Sequence, residues 1–117
     1  MFFRYVDKKQ TLDALSALSQ ETRLDVFRLL VKSEPDGLRA GDIADRLGVR
    51  QNTMSANLGI LERAGLIRGI REGRSIRYVA DLESMRALLR FLLEDCCGGQ
   101  PELCAPLLRA GTARKPA

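Results

Sequence analysis

The stretch that decides the fold is "GDIADRLGVRQNTMSANLGILERAGLI", residues 41–67. It contains two helical patterns in quick succession. In the first, Ile43, Ala44 and Leu47 point inward; in the second, Met54, Leu58 and Leu61 do so. Gly48 and Val49 make the tight connection between them, and two helices joined by a short Gly-containing turn outline a helix-turn-helix. After Gly65 the pattern changes. In "LIRGIREGRSIRYVAD", Ile67, Ile70, Ile76, Tyr78 and Val79 are β-prone, and Glu72-Gly73 sits centrally as hairpin-turn chemistry. A helix-turn-helix followed by a two-stranded β-wing predicts a mainly α chain of the winged helix-turn-helix class.

The second of these helices has the face a DNA reader requires. Once Met54 and Leu58 turn inward, Gln51, Asn52, Thr53, Ser55, Ala56 and Asn57 remain, all short or amide-bearing and uncharged. Asn and Gln can bond adenine bidentately in the major groove, and small side chains let the backbone approach the bases. A solvated helix start would have similar composition, so the surroundings matter. From Arg46 to Arg77 there are seven arginines and two carboxylates, Glu62 and Glu72. The planar guanidinium fork suits phosphate, and Arg50, Arg71, Arg74 and Arg77 frame the neutral face. Double-stranded DNA is the predicted partner, with Arg71 and Arg74 at the hairpin tip reaching the adjacent minor groove or its phosphates.

Working outward, "TLDALSAL" (11–18) spaces Leu12, Leu15 and Leu18 as an aliphatic stripe on a short helix. Ser19 is the expected N-cap for "QETRLDVFRLLVK", where Leu24, Phe27, Leu30 and Val31 recur at helical spacing. "SEPDG" (33–37) ends that helix, because Pro35 disfavours helical backbone at Glu34 and Asp36-Gly37 is turn chemistry. Asp81 is placed to cap a last helix, "LESMRALLRFLLED", with Met85, Leu88, Leu89, Leu92 and Leu93 at i, i+3, i+4, i+7, i+8 spacing. Two segments result: a winged-helix and dimerisation domain over residues 1–95, and a cysteine-containing segment with a basic tail over 96–117.

At 117 residues with a net charge of +4 and 45% hydrophobic content, the chain is one domain's worth. A domain this small buries only about two-thirds of its unfolded surface, so sharing apolar faces in a dimer is a natural source of stability. "MFFRYVDKK" lacks an apolar run of signal-peptide length, and no stretch approaches a membrane span, so the expected address is the cytoplasm. Thiols stay reduced there. Lacking histidine, a Gly-rich phosphate loop and a nucleophile elbow, the sequence is not expected to be an enzyme.

"ALSQETRLDVFRLLV", the 41–67 stretch and "REGRSIRYVAD" together resemble the ArsR/SmtB family, across roughly residues 10–95. These bacterial repressors are dimeric winged-helix proteins that release operator DNA when a metal or metalloid binds. The resemblance implies a homodimer built on the first and last helices, with Leu12, Leu15, Leu88, Leu89 and Leu92 as interface candidates. It also implies an operator that is an imperfect inverted repeat, its half-sites roughly 34 Å apart. The family's frequent Ser-x-His-Leu signature falls on Ser55, Ala56, Asn57 and Leu58, with Asn57 where His is common.

Two inducer sites of the family have no counterpart. Residues 38–44 read "LRAGDIA", without a Cys-x-Cys pair, and the interhelical zinc site needs histidines this chain lacks. Three thiols remain, Cys96, Cys97 and Cys104 in "DCCGGQPELC". A closed zinc site wants four ligands, whereas trivalent arsenic or antimony is satisfied by three sulfurs in a pyramid. Gly98-Gly99 would end the helix and, with Pro101, let the chain return Cys104 to the pair. The spacing resembles the Cys-Cys plus distal Cys site of some arsenic-responsive members. No constitutive cofactor is expected, and As(III) or Sb(III) is the expected inducer. Other soft metals, methylated arsenicals that need two thiols, thiol oxidation and a metal-buffering role share the same residues. For oxidation, Glu94, Asp95, Glu102 and the helix C-terminus all act to raise the thiol pKa values.

Overall fold

The computed structural model describes residues 7–94. In chain order these form α1 (Lys8–Leu18), α2 (Glu21–Lys32), β1 (Leu38–Arg39), α3 (Ala40–Leu47), α4 (Gln51–Arg63), β2 (Ile67–Glu72), β3 (Ser75–Ala80) and α5 (Leu82–Glu94). The mainly helical winged helix-turn-helix expected from the sequence is present. The sheet is larger than expected, with three antiparallel strands in the order β1-β3-β2 instead of a two-stranded wing. Leu38 and Arg39 pair with Tyr78 and Arg77, and two residues are too few for alternation to announce a strand.

Local chemistry sets the helix ends. α1 starts earlier than the leucine pattern suggests, because Asp7 accepts from the Gln10 N–H at 2.8 Å while the Gln10 side chain accepts from the Asp7 N–H at 3.0 Å. That reciprocal pair is a capping box, with Asp and Gln in the two roles. The N-cap of α2 is Gln20 and not Ser19; its side-chain oxygen accepts from the Arg23 N–H at 2.9 Å. α3 ends at Gly48, whose φ of +66° is the left-handed conformation that closes the turn into α4. Asp81 caps α5 as expected, accepting from the Ser84 N–H at 3.0 Å.

The core forms around α2, which packs on α1, α3, α4 and β3. Val26, Phe27 and Leu30 of α2 meet Ile43 of α3, Met54, Leu58 and Leu61 of α4, and Leu66 and Ile67 at the start of β2. Each fully buried aliphatic side chain contributes about 1.5–3 kcal/mol relative to exposure. This body holds α3 and α4 at the surface, packed against each other.

α1 leaves the two leucines expected at a subunit interface uncovered by the subunit itself. It buries Thr11, Ala14 and Ala17, while Leu12 and Leu15 face outward, Leu12 with 58% of its surface exposed. Small residues let α1 lie close to the body, so the bulky stripe turns away from it. On α5, Leu89 and Leu92 are likewise exposed, whereas Leu88 is 3% exposed and belongs to the subunit's own core. Leu88 is thereby removed from the expected dimer interface. Among the described residues no helix is long and apolar enough to cross a membrane.

Candidate nucleic-acid interface

The exposed face of α4 is built from its first turns. Gln51, Asn52, Thr53, Ser55 and Ala56 are exposed, as is Arg50 immediately before the helix, while Met54 and Leu58 anchor the other side in the core. No side chain caps this helix from its N-cap position, Arg50, and its first turn carries no carboxylate. The helix therefore presents unscreened positive partial charge beside neutral hydrogen-bonding side chains. Thr53 N–H is satisfied locally by Asn52 Oδ1 at 2.8 Å.

Asn57 is a correction. It is 8% exposed and turned toward α2, where its Oδ1 accepts from Arg23 Nη1 at 3.1 Å. Positions 54, 57, 58 and 61 form one continuous helical stripe, so an amide at 57 points inward with the apolar residues around it. Its sequence neighbourhood suggested a surface residue; its angular position decided otherwise.

The wing is the hairpin β2–β3, turning at Gly73-Arg74 with Glu72 paired to Ser75 across the turn. Arg71 and Arg74 are exposed at or beside this tip, with no ion pair among the described residues. Arg77 lies lower, within the hairpin's own frame. Its Nε donates to Glu72 Oε2 at 2.9 Å and its Nη1 to the Asp36 carbonyl, so its guanidinium is already engaged inside the subunit. Glu72 also receives Arg39 Nη2 at 3.1 Å, and Arg39 Nε donates to Ser75 Oγ at 3.1 Å. The hydrogen bond from Arg77 holds the Glu72 carboxyl below its ordinary pKa, and the same bond raises Arg77. Burial, helped by the Glu62 charge, pushes the Tyr78 phenol up, so it remains a neutral hydroxyl beside the groove between wing and α3. Glu62 fixes the wing to the end of α4, accepting from the Gly69 N–H at 3.3 Å.

The structure thus brings Arg50, Gln51, Asn52, Thr53 and Ser55 onto one exposed helix face and sets Arg71 and Arg74 on an exposed hairpin. It turns Asn57 inward and engages Arg77. Sequence reasoning missed Arg39, Asp36 and Arg23. Arg23 had a usable signal, a cation in the first turn of a helix, where the macrodipole disfavours positive charge. Cys96, Cys97 and Cys104, with the whole 96–117 segment, lie outside the described residues.

Comparison with known proteins agrees with this geometry. A family model described as a helix-turn-helix domain matches residues 18–70. The chain is 34% identical over 97 residues to an uncharacterized HTH-type transcriptional regulator, YbzH of Bacillus subtilis, covering 71% of this chain and 95% of that one. It is 35% identical over 81 residues to a putative arsenical resistance operon repressor, ArsR2 of Halobacterium salinarum, covering 69% and 66% respectively. Among solved structures, an ArsR-like transcriptional regulator from Rhodococcus superposes with a TM-score of 0.69 at 27% identity, covering 83% of this chain and 89% of that one. A homodimeric winged helix-turn-helix DNA-binding domain from Mycobacterium bovis, a possible ArsR-family regulator, gives 0.59 at 26% identity, covering 79% and 85%. The body that packs around α2, the exposed amide face of α4 and the arginine-tipped wing are those of a DNA-binding regulator, and the chain belongs to the ArsR-like family of winged helix-turn-helix transcriptional regulators.

Proposed function

We propose that this regulator is a homodimeric repressor that holds operator DNA through α4 and the wing and releases it when its three cysteines capture trivalent arsenic. The observation that carries the DNA half is the face of α4, which is neutral, amide-rich, exposed and without a carboxylate in its first turn. Gln51, Asn52, Thr53 and Ser55 read base edges, while Arg50, Arg71 and Arg74 bind phosphate. An operator arranged as an imperfect inverted repeat follows from the two-fold symmetry of a dimer.

Exposed apolar bulk supports the dimer. Leu12 and Leu15 on α1 and Leu89 and Leu92 on α5 are 40–58% exposed, on two helices that pack against each other. The Mycobacterium bovis winged helix-turn-helix domain, similar in fold, is homodimeric.

For the inducer, support comes from donor chemistry. Three cysteines and no histidine form a soft set of three, matched to As(III) or Sb(III) and one short of a closed zinc site. The similarity to a putative arsenical resistance repressor points the same way. Cys96 and Cys97 follow α5 closely in sequence, and α5 packs on α1, which packs on α4. Reordering the end of α5 would pass through α1 to the DNA-reading helix. A coupling free energy of about 3 kcal/mol suffices to weaken DNA binding on the order of a hundredfold.

The test is fluorescence anisotropy of the reduced protein on a duplex enriched by it from a randomised pool, at fixed salt, with and without stoichiometric arsenite. Release by arsenite that Cys96→Ser, Cys97→Ser and Cys104→Ser each abolish supports the assignment. DNA binding that arsenite leaves intact, with release by cadmium or by peroxide instead, replaces arsenic with another soft metal or with oxidation.

A further inference from the structure

Arg23 is a cation in the first turn of α2, at the end of that helix whose partial charge repels it. Its side chain reaches back and across. Nε donates to the Ala17 carbonyl at 2.7 Å, and Nη1 donates to Asn57 Oδ1 at 3.1 Å. Ala17 lies in the last turn of α1, where carbonyls lack intrahelical donors and where α1 has no basic residue of its own. Asn57 is the one polar residue in the buried stripe of α4, flanked by Met54, Leu58 and Leu61. A buried amide in that setting is costly unless paired. One guanidinium therefore satisfies the end of α1 and the middle of α4 with two directed bonds, and no carboxylate pairs with it among the described residues.

We infer that Arg23 is a positioning residue for DNA recognition: its fork fixes the rotation and depth of α4 relative to α1, and so sets the pose in which Gln51, Asn52, Thr53 and Ser55 meet the bases. The inference rests on the proposed use of α4 as the DNA-reading helix. Asn57 lies within about one turn of Thr53 and Ser55 on the same helix, so a bond at its buried side controls how far its exposed side projects. Arg23 acts from behind the helix and does not contact DNA. Lysine cannot replace it, because a single ammonium lacks the planar fork that spans two acceptors on two helices.

The experiment compares Arg23→Met, Arg23→Lys and Asn57→Leu with the wild type by anisotropy on two duplexes, one enriched by the wild-type protein from a randomised pool and one of scrambled sequence. Each affinity is measured over a salt series, and folding is checked by far-UV circular dichroism. Asn57→Leu removes the acceptor with little change of volume and keeps the inference testable should Arg23→Met not fold. The expected result is a fall of tenfold or more in the ratio of specific to non-specific affinity for all three folded variants, with the salt slope unchanged. An unchanged ratio in folded variants would overturn the inference, since a purely structural role lowers stability without touching sequence discrimination. A salt slope reduced by about one on replacing Arg23 would also overturn it, by making Arg23 a phosphate contact. If the wild type enriched no sequence at all, the proposed use of α4 would fail before Arg23 was tested.

Discussion

Arg77 Nε donates to Glu72 Oε2 at 2.9 Å across the wing hairpin, and this ion pair fixes the strand below the exposed tip while Arg71 and Arg74 stay outside it. The wing thereby separates arginines that build it from arginines free to meet a partner. Glu72 has a pKa depressed chiefly by the hydrogen bond from Arg77, with Arg39 adding to the effect. A depressed carboxylate contributes stability above its unfolded pKa and loses it as pH falls through the folded value. The Glu72 contribution is thus complete at neutral pH and disappears in acid, below its ordinary 4.5. Carboxyl-carbon NMR should show Glu72 titrating below 4.5 in the wild type and returning toward that value in Arg77→Met. A midpoint unaffected by Arg77→Met would contradict the pairing.

The two glycines that flank α3 should differ in cost. At Gly48 φ is +66° and an added Cβ meets nothing within 4 Å, so Gly48→Ala carries only the left-handed backbone penalty, about 1–2 kcal/mol. At Gly37 an added Cβ would lie 2.6 Å from Val79 Cγ1 and closer still to the Tyr78 carbonyl oxygen, on a strand that cannot yield easily. Gly37→Ala should cost more, roughly 3 kcal/mol or above. Urea unfolding of both variants gives the order directly.

Leucines on α5 should separate into two classes. Leu88→Ala should destabilise each subunit by about 2–5 kcal/mol through a core cavity. Leu92→Glu or Leu12→Glu, on exposed positions, should instead shift sedimentation toward a monomer with helicity retained. A Leu12→Glu protein that sediments as the wild type would place the subunit interface elsewhere.

At the tip, Arg74→Ala should lower affinity for specific and scrambled duplexes alike and reduce the salt slope by about one, the mark of a lost phosphate contact. Gln51→Ala should weaken the enriched duplex selectively, by about 1–3 kcal/mol, if its amide reads a base.

Much of this architecture was legible because the body-facing stripe of α4, Met54, Leu58 and Leu61, is both apolar and periodic. At α1 the leucine stripe marks an outward face, with Leu12 and Leu15 exposed as interface candidates must be, whereas nothing in the pattern announces that Thr11, Ala14 and Ala17 make the close contact. Periodicity detects bulk, whereas a tightly packed helix turns its small residues inward. Asn57 was misread: residue type argued for the surface while its place one turn from Met54 and Leu61 argued for burial, and the fork of Arg23 settled it. Strand β1 left no trace because Leu38 and Arg39 become a strand only through Tyr78 and Arg77, some forty residues away. Arg77 looked like its neighbours until folding brought Glu72 and Asp36 against it.

The most direct measurement of the central claim, that α4 and the wing tip form the DNA-binding surface, is amide hydrogen exchange of the reduced protein with and without an enriched duplex. New protection concentrated at Arg50–Asn57 and at Arg71–Ser75, with α2 unchanged, is the predicted result. Protection absent from α4 and the hairpin, or confined to the exposed faces of α1 and α5, would contradict it.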